Sequence, residues 1–316
     1  MKKYNSFIIL QLALISLLLF NSCHNKHNEK YISISGAFAL YPLTVKWAEE
    51  YEKQHPGVII DVSAGGAGKG MTDVLSGMVD VAMFSREVSQ VEISKGALGL
   101  AVARDAVVPI LNAGNPNIDN ILRQGITNSQ FVDLFVNNKI SNWNQIIPSA
   151  KADNISVYTR SDACGAGEIW AEYLNSKQEL MSGIGIFGDP GVVDAVKNDK
   201  FGIGYSNIIY AYDARTRKTY QGIVVIPIDF NNNGQIDTDE SIYSSLDTLM
   251  NAIAKEKYPS PPARDLYFIT KGKPVKKITS DFLNWILTDG QKYIKDAGYM
   301  QLTPEKVAEQ KVKFSN

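Results

Sequence analysis

The chain has 316 residues, is 45% hydrophobic and 21% charged, and carries a formal net charge of -1 at pH 7. This length is sufficient for two lobes, each with its own hydrophobic core. The slight acidic excess and the lack of basic runs argue against a nucleic acid as a partner. Loss of the first 22 residues would remove Lys2 and Lys3 and change the net charge from -1 to -3.

The N-terminal segment has the composition of an export signal. Two lysines precede an apolar run over residues 7–20, and Cys23 follows a short polar step. The run is short for a membrane span, and the pattern resembles bacterial lipoproteins, in which such a cysteine is lipidated. We therefore predict a signal peptide over residues 1–22 and a lipidated tether over residues 23–30 in the cell envelope, periplasmic or at the cell surface. Ordinary secretion, with Cys23 removed or free, is the alternative.

Strands, glycine-rich turns and helices alternate along the chain. Residues 31–35 alternate as a strand does, and Leu43, Trp47 and Tyr51 fall on one face of the helix that follows. Further strands are predicted over residues 58–62, 79–84 and 155–160. The first of these reads as a buried strand. This alternation favours an α/β fold with helices on both faces of the sheets. The tryptophans are expected in the core, namely Trp47, Trp143, Trp170 and Trp285.

Three glycine-containing turns lie between a strand and a helix. Their sequences are GAFALYP, AGGAGKG and SDACGAG. In open α/β sheets, ligands bind at the carboxyl ends of strands, where helix N-termini offer free N–H groups and partial positive charge. Together the turns predict an anion site, although each turn taken alone favours a simple change of chain direction between strand and helix. The middle turn lacks the nucleotide-binding signatures because Lys69 is followed by Gly70.

Several stretches resemble the phosphate-binding subunit of bacterial phosphate ABC importers. They are SISGAFALYPLTVKWAEEY, VSAGGAGKGMTDVLSGMVDVAMFSRE, VYTRSDACGAG, FGIGYSNIIYAYDA and QLTPEKV. The resemblance implies a two-lobed periplasmic-binding-protein fold of type II, each lobe a mixed sheet flanked by helices, with the ligand cleft between the lobes. It also implies phosphate or a similar small oxyanion as ligand, importer membrane subunits as partners, and a monomer. We assign residues 31–112 and 222–316 to the first lobe and residues 113–221 to the second.

The resemblance also implies which residues contact the anion. The family uses hydroxyls and backbone amides of the three turns and one arginine. The matching positions here are Ala37, Phe38, Ala39, Ala67, Ser85, Arg86, Arg160, Cys164, Gly165 and Ala166. Most hydroxyls are replaced, which predicts weaker binding or another ligand because fewer donors remain. Arg160 is expected to be the main side-chain ligand, with a salt bridge to Asp162 as its alternative role.

A twelve-residue segment, DFNNNGQIDTDE, follows the predicted strand GIVVIPI. It matches the EF-hand calcium pattern at every position, including Gly234 for the sharp turn and Ile236 at position 8. Because a strand leads into the loop, it resembles dockerin-type loops, and we predict a structural Ca²⁺. An asparagine-rich turn without metal is the alternative. The predicted oxygen ligands are Asp229, Asn231, Asn233, Gln235, Asp237 and Glu240.

Two other functions compete with transport. Cys164 lies at a predicted helix N-terminus near Arg160, where the pKa of a thiol can fall, but the sequence offers no obvious imidazole base and no zinc-type cluster. We therefore expect no enzymatic activity. The second alternative is a lipid-anchored sensor or adhesion protein that keeps the fold and no longer binds phosphate. Only Cys164 remains besides Cys23, so no internal disulfide is expected.

Overall fold

The computed structural model describes residues 30–315. The predicted signal peptide, Cys23 and all but the last residue of the tether lie outside the described residues. Within residues 30–315, no helix combines the length and the apolar character that crossing a membrane requires.

In residues 30–315, eleven strands form a curved mixed sheet and a separate pair. The large sheet has the order β2-β1-β3-β11-β4-β8-β6-β7, with β9 paired to β4, while β5 pairs with β10. The predicted mixed α/β architecture is therefore confirmed. The strands are β1 (Tyr31–Gly36), β2 (Ile59–Ala64), β3 (Val81–Phe84), β4 (Ala97–Asn112), β5 (Ile126–Thr127), β6 (Ser156–Arg160), β7 (Ile184–Ile186), β8 (Gly202–Asn207), β9 (Ile223–Val225), β10 (Ile228–Asp229) and β11 (Ala263–Lys271).

The helices cover the faces of this sheet and begin at the carboxyl ends of several strands. Those relevant to the cleft are a 3-10 turn (Phe38–Leu40), α1 (Tyr41–Gln54), α2 (Ala67–Ser76), α6 (Gly165–Tyr173), α7 (Gly188–Asn198) and α8 (Ile208–Ala211). The others are α3 (Gln90–Ser94), α4 (Ile118–Gln124), α5 (Asn128–Phe135), α9 (Leu246–Ala254), α10 (Lys277–Ile286) and α11 (Pro304–Ser315). Three further 3-10 turns cover Trp143–Gln145, Gln178–Leu180 and Asp289–Tyr293.

Strand β4 joins the two lobes. It has 16 residues and is almost entirely buried, and at about 3.3 Å per residue it extends for about 50 Å. Its first part pairs with β11 and its second part with β8 and β9. One continuous strand therefore belongs to the sheets of both lobes and connects them through the hinge.

Two hydrophobic cores define the lobes. The first-lobe core draws mainly on residues 32–103 and 266–299, and the second-lobe core on residues 106–258. The assignment of residues 222–258 to the first lobe is therefore wrong, because β9, β10 and α9 pack into the second-lobe core. The return to the first lobe near Leu266 is as predicted. All four tryptophans are buried, as expected.

The edge position of β2 also differs from the sequence prediction. Residues 58–62 read as a buried strand, but among the described strands β2 lies at the sheet edge beside β1, and it exposes Ile59 while burying Ile60. Edge strands with one covered face alternate in exposure, and the apolar run VIIDV hides that alternation.

Close packing behind the first turn requires glycine at position 36. Gly36 has φ +133°, and an added Cβ atom would lie 3.0 Å from Met83 N and still closer to Met83 O. The backbone of β3 therefore leaves no space for a side chain there. This contact fixes the chain where the 3-10 turn begins.

We predict that Gly36→Ala lowers the free energy of unfolding by about 2 kcal/mol or more, because strain and a backbone clash combine. The control is Gly77→Ala, where φ is +77° and nothing lies within 4 Å of an added Cβ atom; we expect a loss of about 1 kcal/mol there. Urea unfolding of both variants measures the difference. Equal losses would show that the contact with Met83 does not constrain the turn.

Candidate anion-binding cleft

Residues from both lobes converge on one small cleft. The first lobe contributes the turn after β1, the start of α2 and the end of β3, and the second lobe contributes the ends of β6 and β8 and the starts of α6 and α7. The lining residues are Ala37, Phe38, Ala39, Ala67, Ser85, Arg160, Cys164, Ala166, Asp189 and Asn207. Within each lobe, parallel strands bring their carboxyl ends to one edge, and the shared strand β4 makes these two edges face each other.

Backbone N–H groups dominate the donors of this cleft. The amides at the start of a helix have no acceptor within the helix, and the 3-10 turn at Phe38, α2 at Ala67 and α6 at Gly165 all begin here. Some of these amides already have other acceptors. Gly68 N donates to Ala163 O at 3.1 Å, and Gly167 N donates to Cys164 Sγ at 3.2 Å. Ser85 is buried and contributes the one side-chain hydroxyl among the lining residues.

Arg160 lies at the floor of the cleft and is held by two carboxylates. Its Nε and Nη2 donate to Asp162 at 2.8 and 2.6 Å, and its Nη1 donates to Asp189 at 2.5 Å. The residue is only 5% exposed. Burial alone would lower the pKa of Arg160, but the nearby Asp189 and Asp162 raise it above its ordinary value. The salt bridge with Asp162, considered as an alternative role for Arg160, is present alongside its position in the cleft.

Asp189 and Asn207 were not among the predicted site residues. Asp189 is 1% exposed and accepts hydrogen bonds from Arg160, from Asn207 N at 3.0 Å and from Ser206 Oγ at 3.3 Å. Asp189 and Asn207 both lie in segments with the strand-turn-helix pattern that identified the other turns. The sequence IGIFGDPGVV has a glycine between strand and helix, and Asn207 ends the strand GIGYSN. Extending the turn search to these segments would have found them.

Arg86 lies outside the cleft. Its Nη1 and Nη2 donate to Glu92 at 2.9 and 2.8 Å, and its Nε lies 2.5 Å from Glu168. Glu92 also completes the N-terminal capping box of α3 with Ser89, so it is fixed where it attracts the arginine. The structure therefore uses Arg86 as an ion-pair bridge from the first lobe to Glu168 of the second.

The two lobes are in close contact at the cleft. An added Cβ atom on Gly165 would overlap the carbonyl oxygen and hydroxyl of Ser85 in the other lobe. The lining residues of the two lobes leave no space between them for a water-sized sphere. The arrangement is that of a closed two-lobed binding protein, in which contacts from both sides meet.

Cys164 is a buried cap of helix α6. Its Sγ accepts the hydrogen bond from Gly167 N, and only 4% of the residue is exposed. Burial raises the pKa of the Cys164 thiol to about 12, although Arg160 acts in the opposite direction. The sulfur is therefore protonated at neutral pH and is a poor nucleophile.

The predicted calcium loop lies in the second lobe, directly after β10. Asp229 and Glu240 are 1% and 4% exposed, and their oxygens accept backbone N–H groups of the loop itself. Gly234 turns the chain with φ +78°. The side-chain amides of Asn231 and Asn233 both donate hydrogen bonds to the carboxylate of Asp237. Within residues 30–315, no group of three or more His, Cys, Asp or Glu side chains is close enough to hold a metal ion.

We predict that Gly165→Ala prevents full closure without unfolding either lobe, because the added methyl group meets Ser85 across the cleft. The control is Gly167→Ala, whose Cβ atom would meet the side chain of Gln178, a residue of the same lobe, and not the first lobe. Small-angle X-ray scattering should show a larger radius of gyration only for Gly165→Ala. An unchanged radius in both variants would contradict the close approach of the lobes.

A family model, curated relatives and solved structures all place this chain in the same family. The model of the PBP superfamily domain matches residues 23–290. The SphX protein of Synechococcus elongatus is 22% identical over 93% of this chain and 84% of its own length, and the phosphate-binding protein PstS of Borreliella burgdorferi is 22% identical over 93% and 98%. A Clostridium perfringens protein whose crystal structure contains bound phosphate covers 86% of this chain and 100% of its own, with a TM-score of 0.70 and 19% identity. The chain therefore belongs to the PBP superfamily and has its two-lobed fold.

Proposed function

We propose that this protein is the substrate-binding component of an ABC importer and that it takes phosphate or a similar tetrahedral oxyanion between its lobes. One observation carries the proposal: Ser85, Arg160 and the starts of α2, α6 and the 3-10 turn line a single cleft. Helix starts combine free N–H groups with partial positive charge, which suits an anion. Relatives that are named phosphate-binding proteins support this choice of ligand.

The chemistry of the cleft favours a backbone-dominated anion site. Arg160 is surrounded by Asp162 and Asp189, so these three side chains carry one positive and two negative charges. A guanidinium has five N–H groups, and three hydrogen bonds to carboxylates leave donors for an anion. Each hydroxyl replaced by alanine or phenylalanine removes about 1 kcal/mol of binding energy. We therefore infer weaker binding than in a hydroxyl-rich cleft.

We further propose that the mature protein is a monomer anchored in the cell envelope. The apolar run before Cys23 supports export and lipidation, and residues 23–30 would then tether the lobes near importer membrane subunits. The anchor would be lipid alone. This part of the proposal depends on the sequence, since these residues precede the described fold.

We propose that the protein is not an enzyme. A catalytic cysteine needs a thiolate and a base, and the raised pKa of Cys164 opposes the first. The side chains near its sulfur belong to the anion cleft, where Arg160 is the cationic group. A binding function explains these residues without a chemical step.

We also propose a structural Ca²⁺ in the loop from Asp229 to Glu240. Two buried carboxylates face a turn whose alternating side chains all carry oxygen. Ca²⁺ takes six to eight oxygens, and Asp229, Asn231, Asn233, Asp237 and Glu240 with the carbonyl of Gln235 would provide them. A bound Ca²⁺ would connect β10 to the segment that leads to α9.

Titration calorimetry of residues 24–316 with phosphate, sulfate, molybdate and tungstate tests the anion proposal. We expect heat with phosphate, and about tenfold to a hundredfold weaker binding in Arg160→Lys, because lysine keeps the charge and loses the planar fork. Arg217→Lys is the control, since Arg217 pairs with Asp247 away from the cleft. If none of the four anions gives measurable heat of binding, the proposal is contradicted and the sensor or adhesion alternative is favoured.

Thermal unfolding with and without calcium tests the metal proposal. At calcium 100 times above Kd we expect a Tm increase of about 5 °C or more, and its loss in Glu240→Ala. Asp239→Asn is the control because Asp239 is not at a ligand position and pairs with Lys257 on the surface. Identical melting curves of the unaltered protein with calcium and with chelator would exclude the site.

A further inference from the structure

The ring of Phe38 crosses the cleft from the first lobe to the second. It packs edge-on against Phe187, with ring centroids 5.7 Å apart. Its outer edge faces Gly188, where an added Cβ atom would lie 3.0 Å from Phe38 Cζ. The centroid of the same ring is 5.5 Å from Arg160 Cζ. The ring therefore covers the cationic group at the floor of the cleft and contacts the start of α7.

The turn that carries this ring is fixed in place. Tyr210 Oη donates a hydrogen bond to the carbonyl oxygen of Phe38 at 3.0 Å, and Leu40 N donates to Ala37 O at 3.2 Å. Behind the turn, Gly36 packs on the backbone of Met83. The direction of the Phe38 side chain is therefore set by its surroundings, and the ring is not a free surface group.

Contacts between the lobes are normally completed by the ligand in a receptor that closes around it. In this molecule Phe38 makes comparable contacts from the first lobe to Arg160, Phe187 and Gly188 of the second. The remaining gaps are too narrow for a water-sized sphere. An anion that reached Arg160 would have to displace the ring.

We propose that Phe38 is an internal plug: its ring holds the lobes closed in the absence of an anion and competes with the anion for the face of Arg160. The competition rests on the proposed function of the cleft. A cation-π contact in a desolvated site is strong enough to resist a weakly held ligand. Phe38 would thus set both the affinity and the size limit of the anion.

Phe38→Ser tests the plug, and Phe38→Leu, which adds no hydroxyl, separates the effect of the ring from that of a new donor. The change removes the ring and adds a hydroxyl donor, so we expect phosphate to bind at least about tenfold more tightly than to the unaltered protein. The control is Tyr31→Ser, at the opposite end of β1, where the side chain contacts Asp61. Calorimetry should show no gain for Tyr31→Ser. Phosphate binding that is equal in Phe38→Ser and the unaltered protein would overturn the proposal.

Small-angle scattering in buffer free of phosphate and sulfate tests closure without any ligand. We expect the unaltered protein to be compact and Phe38→Ser to have a larger radius of gyration, which decreases when phosphate is added. Equal radii before phosphate is added would overturn the plug. If neither protein takes up phosphate but their radii differ, the anion proposal fails and the plug stands.

A variant that fails to fold is replaced by Phe38→Leu, which keeps apolar volume and removes the aromatic face. We then expect an intermediate radius of gyration and an intermediate gain in phosphate affinity. Values identical to those of the unaltered protein would overturn the role of the aromatic ring. Circular dichroism of each variant establishes that the comparison is made between folded proteins.

Discussion

The buried charge of Arg160 is the constraint on which the cleft depends. A guanidinium removed from water is costly unless carboxylates pair with it in good geometry. Asp162 and Asp189 supply that pairing from two different turns, and Asp189 also accepts the backbone N–H of Asn207. One ion cluster thereby holds the ends of β6 and β8 and the start of α7 in register, and these are the elements that form the second-lobe wall of the cleft.

This pairing also determines what the cleft can bind. With two carboxylates around one guanidinium, the side chains do not offer a net positive charge, and the helix starts supply the remaining attraction. The loss of hydroxyls at Ala37, Phe38 and Ala39 makes the turn after β1 a donor of backbone amides only, and Ser85 is the one hydroxyl that the first lobe adds. A small anion held in this way depends on well-placed N–H donors more than on net charge. The position of the Phe38 ring therefore determines whether the anion can bind, because the ring occupies the same space.

Much of the fold could be predicted from the sequence. Strand-helix alternation explains why turns of the same lobe lie close together, since parallel strands end at one edge. The meeting of turns from different lobes depends on β4, which joins the two lobes through antiparallel pairs and was not predicted. The lobe boundary could not be predicted, because the apolar pattern of residues 222–258 shows burial without showing in which lobe. The orientation of Arg86 could not be predicted either. Its side chain turns toward Glu92 and Glu168, and no sequence motif links these two residues to Arg86. Asp189 was missed because the search stopped at three turns, although IGIFGDPGVV has the same glycine between strand and helix.

A crystal structure of residues 24–316 grown with phosphate tests the central claim most directly, namely that backbone amides from both lobes and Arg160 serve one anion. The account predicts phosphate between Arg160 and the starts of α2 and α6, with the Phe38 ring rotated away from the guanidinium. Phosphate bound elsewhere, or a Phe38 ring still covering Arg160 at saturating phosphate, would contradict it.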